Sequence, residues 1–294
     1  MKNILFILFL SLSIPAFAGI NDIKSANNQI GVSLVATHVD YKETFDSSYD
    51  GLTDSEKGWV PGFSLSASAM KDVLFGNDYF EASFTRLNGN TDYKSSSSEA
   101  PTCLYCGGTI TQNHGAQITD IHARYGRGFI LNNEWMITPY AEIGHHEWKR
   151  NLGLQIPVGT PYGNSVSEEY NHSYFSLGSL AQYSPTKDLV FTLNGSIGST
   201  FMASISGKGF GDVPGVCGAY CGAGPFGPQD LGSDLTYKLS LSADYAFTKN
   251  IHANAGINYT EFRYGKSDLF NTFNFEPDSK TSYATVNVGL GYAF

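Results

Sequence analysis

The chain of 294 residues lacks any run of about 20 consecutive apolar residues, the length a helix needs to cross a bilayer, so a helical membrane protein is excluded. Charge is scarce at 15% of residues, and its net value of −9 is acidic and unclustered, which argues against nucleic-acid binding. No G-x-S-x-G, H-E-x-x-H or Walker-type loop occurs. The Gly-rich stretch 207–232 has neither a Lys-Ser/Thr ending nor a following helix, and reads as a surface loop rather than a phosphate cradle. No linker-like break divides the chain. Only four cysteines are present, in two close pairs: Cys103 with Cys106, and Cys217 with Cys221.

What is abundant is tyrosine (18), phenylalanine (20) and glycine (32). The first residues form a secretory leader: Lys2 supplies a positive charge, Ile4 to Ile14 an apolar core, and Ala16-Phe17-Ala18 a small-x-small cleavage site. Residues 1–18 are therefore expected to be removed, leaving 19–294 as one domain; loss of Lys2 takes the net charge from −9 to −10. At the other end, Val286, Val288, Leu290, Tyr292 and Phe294 fall on one face of a strand, and Thr285, Asn287, Gly289, Gly291 and Ala293 on the other. One face is apolar and the other small or polar, as lipid and lumen would require of a transmembrane strand.

The same alternation recurs along the chain. Strands are expected at 29–45, 60–70, 79–94, 117–131, 135–150, 169–183, 189–206, 234–247, 251–264 and 281–294. The connections alternate long and short: four short turns near 71–77, 132–134, 184–188 and 248–250, and five longer loops. Ten is an even number, as single-chain bacterial barrels require. The segment 169–183 alternates poorly, which leaves eight or twelve strands open. Most segments exceed the roughly 9–11 residues that cross a bilayer at a tilt, so they should project beyond it. Pro139, on an outward position, removes a ladder donor and predicts a bulge. The expected fold is an all-β, antiparallel, up-and-down transmembrane barrel with short periplasmic turns and long extracellular loops.

The register assigns Glu81, Asp120, His122, Arg124, Glu142, His146, Lys238, Asp244 and His252 to the lumen. Ions in a narrow interior need partners, because an unpaired buried charge costs several kcal/mol. A polar network that fixes the barrel is the first reading of these residues, and a narrow water-filled path lined by the same groups is the second. His145, next to His146, should point the opposite way. Disulfides are expected among Cys103, Cys106, Cys217 and Cys221 in an oxidising compartment, with three connectivities open, in preference to a metal site.

The C-terminal alternation ending in Tyr292 and Phe294 resembles the final strand of bacterial outer-membrane barrels, which assembly machinery reads. The whole pattern resembles the opacity-protein/OmpA-like porin superfamily. That resemblance implies residence in a Gram-negative outer membrane, contact with outer-membrane lipid and lipopolysaccharide, and external loops that meet an extracellular ligand or host surface. It implies a non-enzymatic structural or recognition role without cofactor or metal, with a narrow passive porin as alternative. The length and strand number also resemble the omptins, whose catalytic apparatus pairs an Asp–His with two further aspartates. Asp120-Ile121-His122 has the Asp-x-His spacing, but no facing aspartate pair is evident. An omptin-like protease or a lipid-modifying enzyme is thus the remaining alternative.

Overall fold

The computed structural model describes residues 19–45, 53–97, 108–153, 166–208, 226–268 and 276–294. The leader lies outside the described residues, as do most of the long loops. So do Cys103, Cys106, Cys217 and Cys221, and the expected disulfides among these four cysteines are therefore not seen in the described structure.

The described chain opens with a short helix, α1 (Ile20–Ala26), followed by β1 (Gln29–Thr44), β2 (Thr53–Lys71), β3 (Asp78–Ser97), β4 (Gly108–Arg127), β5 (Phe129–Ile130) and β6 (Trp135–Gly153). Then come β7 (Val166–Thr186), β8 (Leu189–Lys208), β9 (Phe226–Asp230), β10 (Leu235–Ala246), β11 (Ile251–Tyr264) and β12 (Asp278–Ala293). Each strand pairs antiparallel with its neighbours, and β12 pairs with β1 from Gln29↔Ala293 to Thr44↔Asp278, which closes the sheet. Two short strands continue others rather than adding staves. β5 takes up the pairing with β6 where β4 stops, and β9 covers the loop-end half of β8 while β10 covers the other half. The result is a closed ten-stave barrel, the strand number that the alternation indicates. Closure removes the unpaired edges an open sheet would expose.

The outward face supplies the apolar exterior. Leu34 is 71% exposed, Ile30 60%, Leu290 57% and Phe294 57%. Such a continuous exposed surface is untenable in water and natural in lipid. Two aromatic positions require glycine opposite: a Cβ on Gly144 would overlap the Tyr174 ring, and one on Gly178 the Tyr140 ring.

Three local details differ from the sequence reading. Pro139 produces no bulge: it pairs in step with Ser179 across β6–β7. On its other side the ladder is interrupted between Gly126↔Tyr140 and Phe129↔Ile137, and resumes without a register change. The missing N–H is accommodated by a gap, and the Gly128 N–H donates instead to the Asn77 carbonyl at 2.8 Å. A register shift does occur in β8, where Asn171↔Ser204 gives way to Ser173↔Phe201. Met202 sits there with φ 54°. The extra residue reverses the facing of β8, so Thr200 is buried below it but Ala203 and Ile205 above it. The expected start of the second strand at Val60 also moves, to Thr53.

Side chains fill both ends of the lumen. At the turn end, α1 inserts Ile23, fully buried, among Met70, Tyr79, Met136, Tyr140, Leu180 and Val190. Asn27 and Gln182 bond reciprocally there through their amides, at 2.7 and 3.0 Å. At the loop end, Val39, Tyr41, Val60, Trp148, Tyr170, Phe262, Tyr264 and Tyr283 belong to one apolar cluster.

Candidate functional site

Between the two apolar layers lies a polar chamber of about 420 Å³. Its walls differ. From β1, β2 and β10 to β12 come small neutral groups: Ser33, Ser64, Ser66, Ser240, Ser242, Asn254 and Asn287. From β3 and β4, with Lys238 of β10, come charged ones: Glu81, Asp120, His122 and Arg124; Asp244 of β10 is the charged exception on the first wall.

The charged wall is a single connected network. Arg124 bonds to Glu142 through Nε and to Glu81 through Nη1, the latter at 3.0 Å. Lys238 Nζ donates to Glu142 Oε1 at 2.8 Å and to the Tyr174 hydroxyl at 2.9 Å. Ser176 donates to the same Glu142 oxygen, at 3.1 Å. His122 Nδ1 lies 3.1 Å from Asp120, and its Nε2 lies 3.4 Å from Glu81. Asp120 also accepts from Tyr174 at 3.2 Å and lies 3.6 Å from His146. His146 Nε2 is 3.2 Å from the Tyr283 hydroxyl. His145 faces outward, 3.2 Å from Ser173.

Asp244 and His252 sit apart from this network, near α1, 2.5 Å from each other. Gln29 donates to Asp244 at 2.9 Å. The nine residues assigned to the lumen from the sequence thus form two groups. Tyr79, Tyr174, Ser176 and Tyr283, which complete the first group, share the inward parity of their strands and could have been found by it.

A second ionic cluster went unread in the sequence. Arg150 on β6 is buried and bonds to Glu56 at 2.7 Å, to Glu168 at 3.0 Å and to the Tyr170 hydroxyl at 3.1 Å. Its guanidinium lies 5.0 Å from the ring centroid of Tyr41 and 5.4 Å from that of Trp148. Such contacts are worth more in a dry setting than in water. Glu56 also meets His114 at 3.4 Å and accepts from Thr91. Tyr41 donates to Glu43 at 2.8 Å or to Glu276 at 3.2 Å, and Tyr170 donates to Glu276 at 2.5 Å. Burial, reinforced by the charge of Glu168, pushes the Glu276 carboxyl up to about 7.

The interior as a whole is rich in acid. Glu43, Glu56, Glu81, Asp120, Glu142, Glu168, Asp244 and Glu276 face Arg124, Arg150 and Lys238. Five histidines point inward as well: His114, His122, His146, His172 and His252. Among the described residues no group of three His, Cys, Asp or Glu side chains is arranged to hold a metal ion. Tyr292 and Phe294 stand on the outer surface, 55% and 57% exposed.

No protein-family profile and no curated protein matches this chain. Solved structures do. The outer-membrane protease OmpT from Escherichia coli superimposes with a TM-score of 0.57 at 9% identity, over 91% of this chain and 97% of that one. The toluene transporter TodX of Pseudomonas putida matches with a TM-score of 0.35 at 14% identity, over 93% and 92%. Ail, the attachment invasion locus protein of Yersinia pestis, gives 0.31 at 12% identity, over 91% and 99%. At these identities the likeness is one of fold, and its strength rests on the first comparison. The structural neighbours are outer-membrane β-barrels of protease, channel and surface types.

Proposed function

We propose that this chain is a non-enzymatic barrel of the Gram-negative outer membrane with a lumen closed at both ends, allied to the opacity-protein/OmpA-like barrels and acting through its loop end. In this reading the short turns and α1 face the periplasm and the long loops face outward. Tyr292 and Phe294 would present the ending that assembly machinery reads. Cys103, Cys106, Cys217 and Cys221 would oxidise in the external loops.

One observation carries the proposal: the lumen's ionisable groups spend their hydrogen-bonding capacity on one another between two apolar layers. A passive pore needs continuous water, whereas Ile23 and its neighbours occupy one end and the Tyr41–Trp148–Tyr170 layer the other. A hydrolase needs a base with a free lone pair aimed at a water. Both nitrogens of His122 are engaged, by Asp120 and by Glu81. Asp120 is itself shared among His122, His146 and Tyr174, and no aspartate pair faces it among the described residues.

Planar-bilayer recording of the refolded protein, run beside a peptide-hydrolysis assay, tests this reading. A silent bilayer and uncleaved peptide are expected. Steady single-channel conductance would move the assignment to the narrow porin, and hydrolysis abolished by Asp120→Asn would move it to an omptin-like enzyme. The chamber of about 420 Å³ gives the porin reading its specific support, since displacement of α1 would connect it to the turn end.

A further inference from the structure

On the outside of the barrel, across β2, β1, β12 and β11, the register fixes successive cross-strand rows. Trp59, His38, Ala284 and Tyr259 occupy one row. Two residues further toward the loop end the row reads Lys57, Asp40, Ser282 and Glu261. Two further on it reads Ser55, Lys42, Lys280 and Arg263. Below the aromatic row the outward residues are apolar, through Val286, Val288 and Leu290. Aromatic residues mark the level of the bilayer interface, so the two polar rows sit at headgroup depth.

The cations there are organised. Lys42, Lys280 and Arg263 stand side by side on three adjacent strands, about 10 Å from first to last at the usual strand spacing. Glu261, only 1% exposed, forms a pedestal: it pairs with Lys280 at 2.7 Å and Arg263 at 3.3 Å, and accepts from Tyr259 at 2.8 Å. Lys42 is exposed and has no carboxylate partner among the described residues. Lys57 pairs with Asp40 at 2.8 Å. Asp278, next along, accepts the backbone N–H of Lys266 at 2.9 Å. The two rows carry Lys42, Lys57, Arg263 and Lys280 against Asp40 and Glu261, a positive excess on a chain whose net charge is −9. The opposite wall differs: Lys149 there lies between Glu147 and Glu169, at 3.2 and 3.5 Å.

We infer that Lys42, Lys280 and Arg263 form a binding surface for the phosphate groups of an outer-leaflet glycolipid, lipopolysaccharide. The surface rests on the outer-membrane reading above and names the lipid that reading leaves general. The chemistry is the fit of a planar guanidinium and two ammonium groups to phosphate oxygens, next to aromatic side chains at the acyl boundary. A soluble anion has no need of that adjacent apolar wall, which favours the lipid over free phosphate.

The test is native mass spectrometry of the refolded full barrel with purified lipopolysaccharide, with its enzymatically dephosphorylated form, and with phosphatidylglycerol. The wild type should retain the phosphorylated glycolipid. The triple variant K42Q/R263Q/K280Q should lose at least about tenfold in occupancy, given the contribution of each basic residue near an anionic surface. The dephosphorylated glycolipid should behave as the triple variant does, and Lys149→Gln should match the wild type. Heat-modifiable gel mobility confirms that each variant is folded. Retention by the triple variant within twofold of the wild type overturns the inference, as does equal binding of dephosphorylated lipid or equal retention of phosphatidylglycerol. Membrane fractionation is read separately. Recovery outside the outer membrane sinks the functional reading, whereas correct residence with undiminished lipid binding by the triple variant sinks only this one.

Discussion

The two ionic clusters inside the barrel are built on opposite plans. Midway along, charges alternate: Arg124 lies between Glu81 and Glu142, Lys238 supports Glu142, and His122 bridges Asp120 and Glu81. Near the loops Arg150 is, among the described residues, the one Arg or Lys that serves Glu56 and Glu168, with His114 beside Glu56, while Glu43 and Glu276 depend on tyrosine hydroxyls. The first plan is redundant and holds its form without adjustment. The second has one point of failure and relies on protons to quiet the remaining acids. Charges are cheap to place where each has an opposite neighbour and costly where a single ion must serve several.

Removing the central cation of each cluster should expose that contrast most strongly. Arg150→Ala leaves Glu168 without a basic partner among the described residues and Glu56 with His114 alone, at 3.4 Å, and is expected to cost about 3–5 kcal/mol. Arg124→Ala should cost less, because Lys238 still holds Glu142 and His122 still meets Glu81. Urea unfolding in detergent micelles measures both; equal losses would mean that redundancy confers nothing.

Acid–base titration gives the next effect in size. Glu276 holds its proton more tightly folded, at about 7, than an ordinary glutamate does near 4.5. Its contribution to stability is therefore complete below about pH 4.5 and is lost as pH rises through 7. The difference is at most about 3 kcal/mol. Thermal unfolding at pH 5 and pH 8 should show the barrel more stable at pH 5. Glu276→Gln should flatten that difference, and an unchanged slope would remove Glu276 as its origin.

The smallest effect concerns the midway cluster's supports. Gly144→Ala would push the Tyr174 ring away from Asp120 and Lys238, at an expected cost of about 1–3 kcal/mol. A thermal shift indistinguishable from the wild type would show that Tyr174 has room to move.

The contrast also explains what could be read from the chain. Where strands cross lipid, outward residues must be apolar, so alternation gives both the register and the inward set, and Asp120, His122 and Arg124 follow from it. Past the apolar belt that constraint lapses. Thr53 to Gly58 is strand, yet Asp54, Glu56 and Lys57 resemble loop because the outward positions are also polar. Glu168 and Glu276 lie in the same kind of region, and the whole Arg150 cluster was lost with them. α1 was missed because seven residues carry too little periodicity for a helix to be recognised. The Met202 bulge left no local sign, since Met is neither a turn residue nor a common choice for positive φ. Cys103, Cys106, Cys217 and Cys221 lie in connections outside the described residues, where no alternation ties one position to another, so their pairing was not legible.

The sixteen-residue seam between β1 and β12 has a temporal consequence. The ring cannot shut until the last strand has been delivered, so a nascent or truncated polypeptide carries two bare borders with unspent amide and carbonyl groups. Each border is a template for a neighbour's backbone. Clumping of unfinished chains, rather than failure of any single stave, is the hazard that a partner escorting this polypeptide has to suppress.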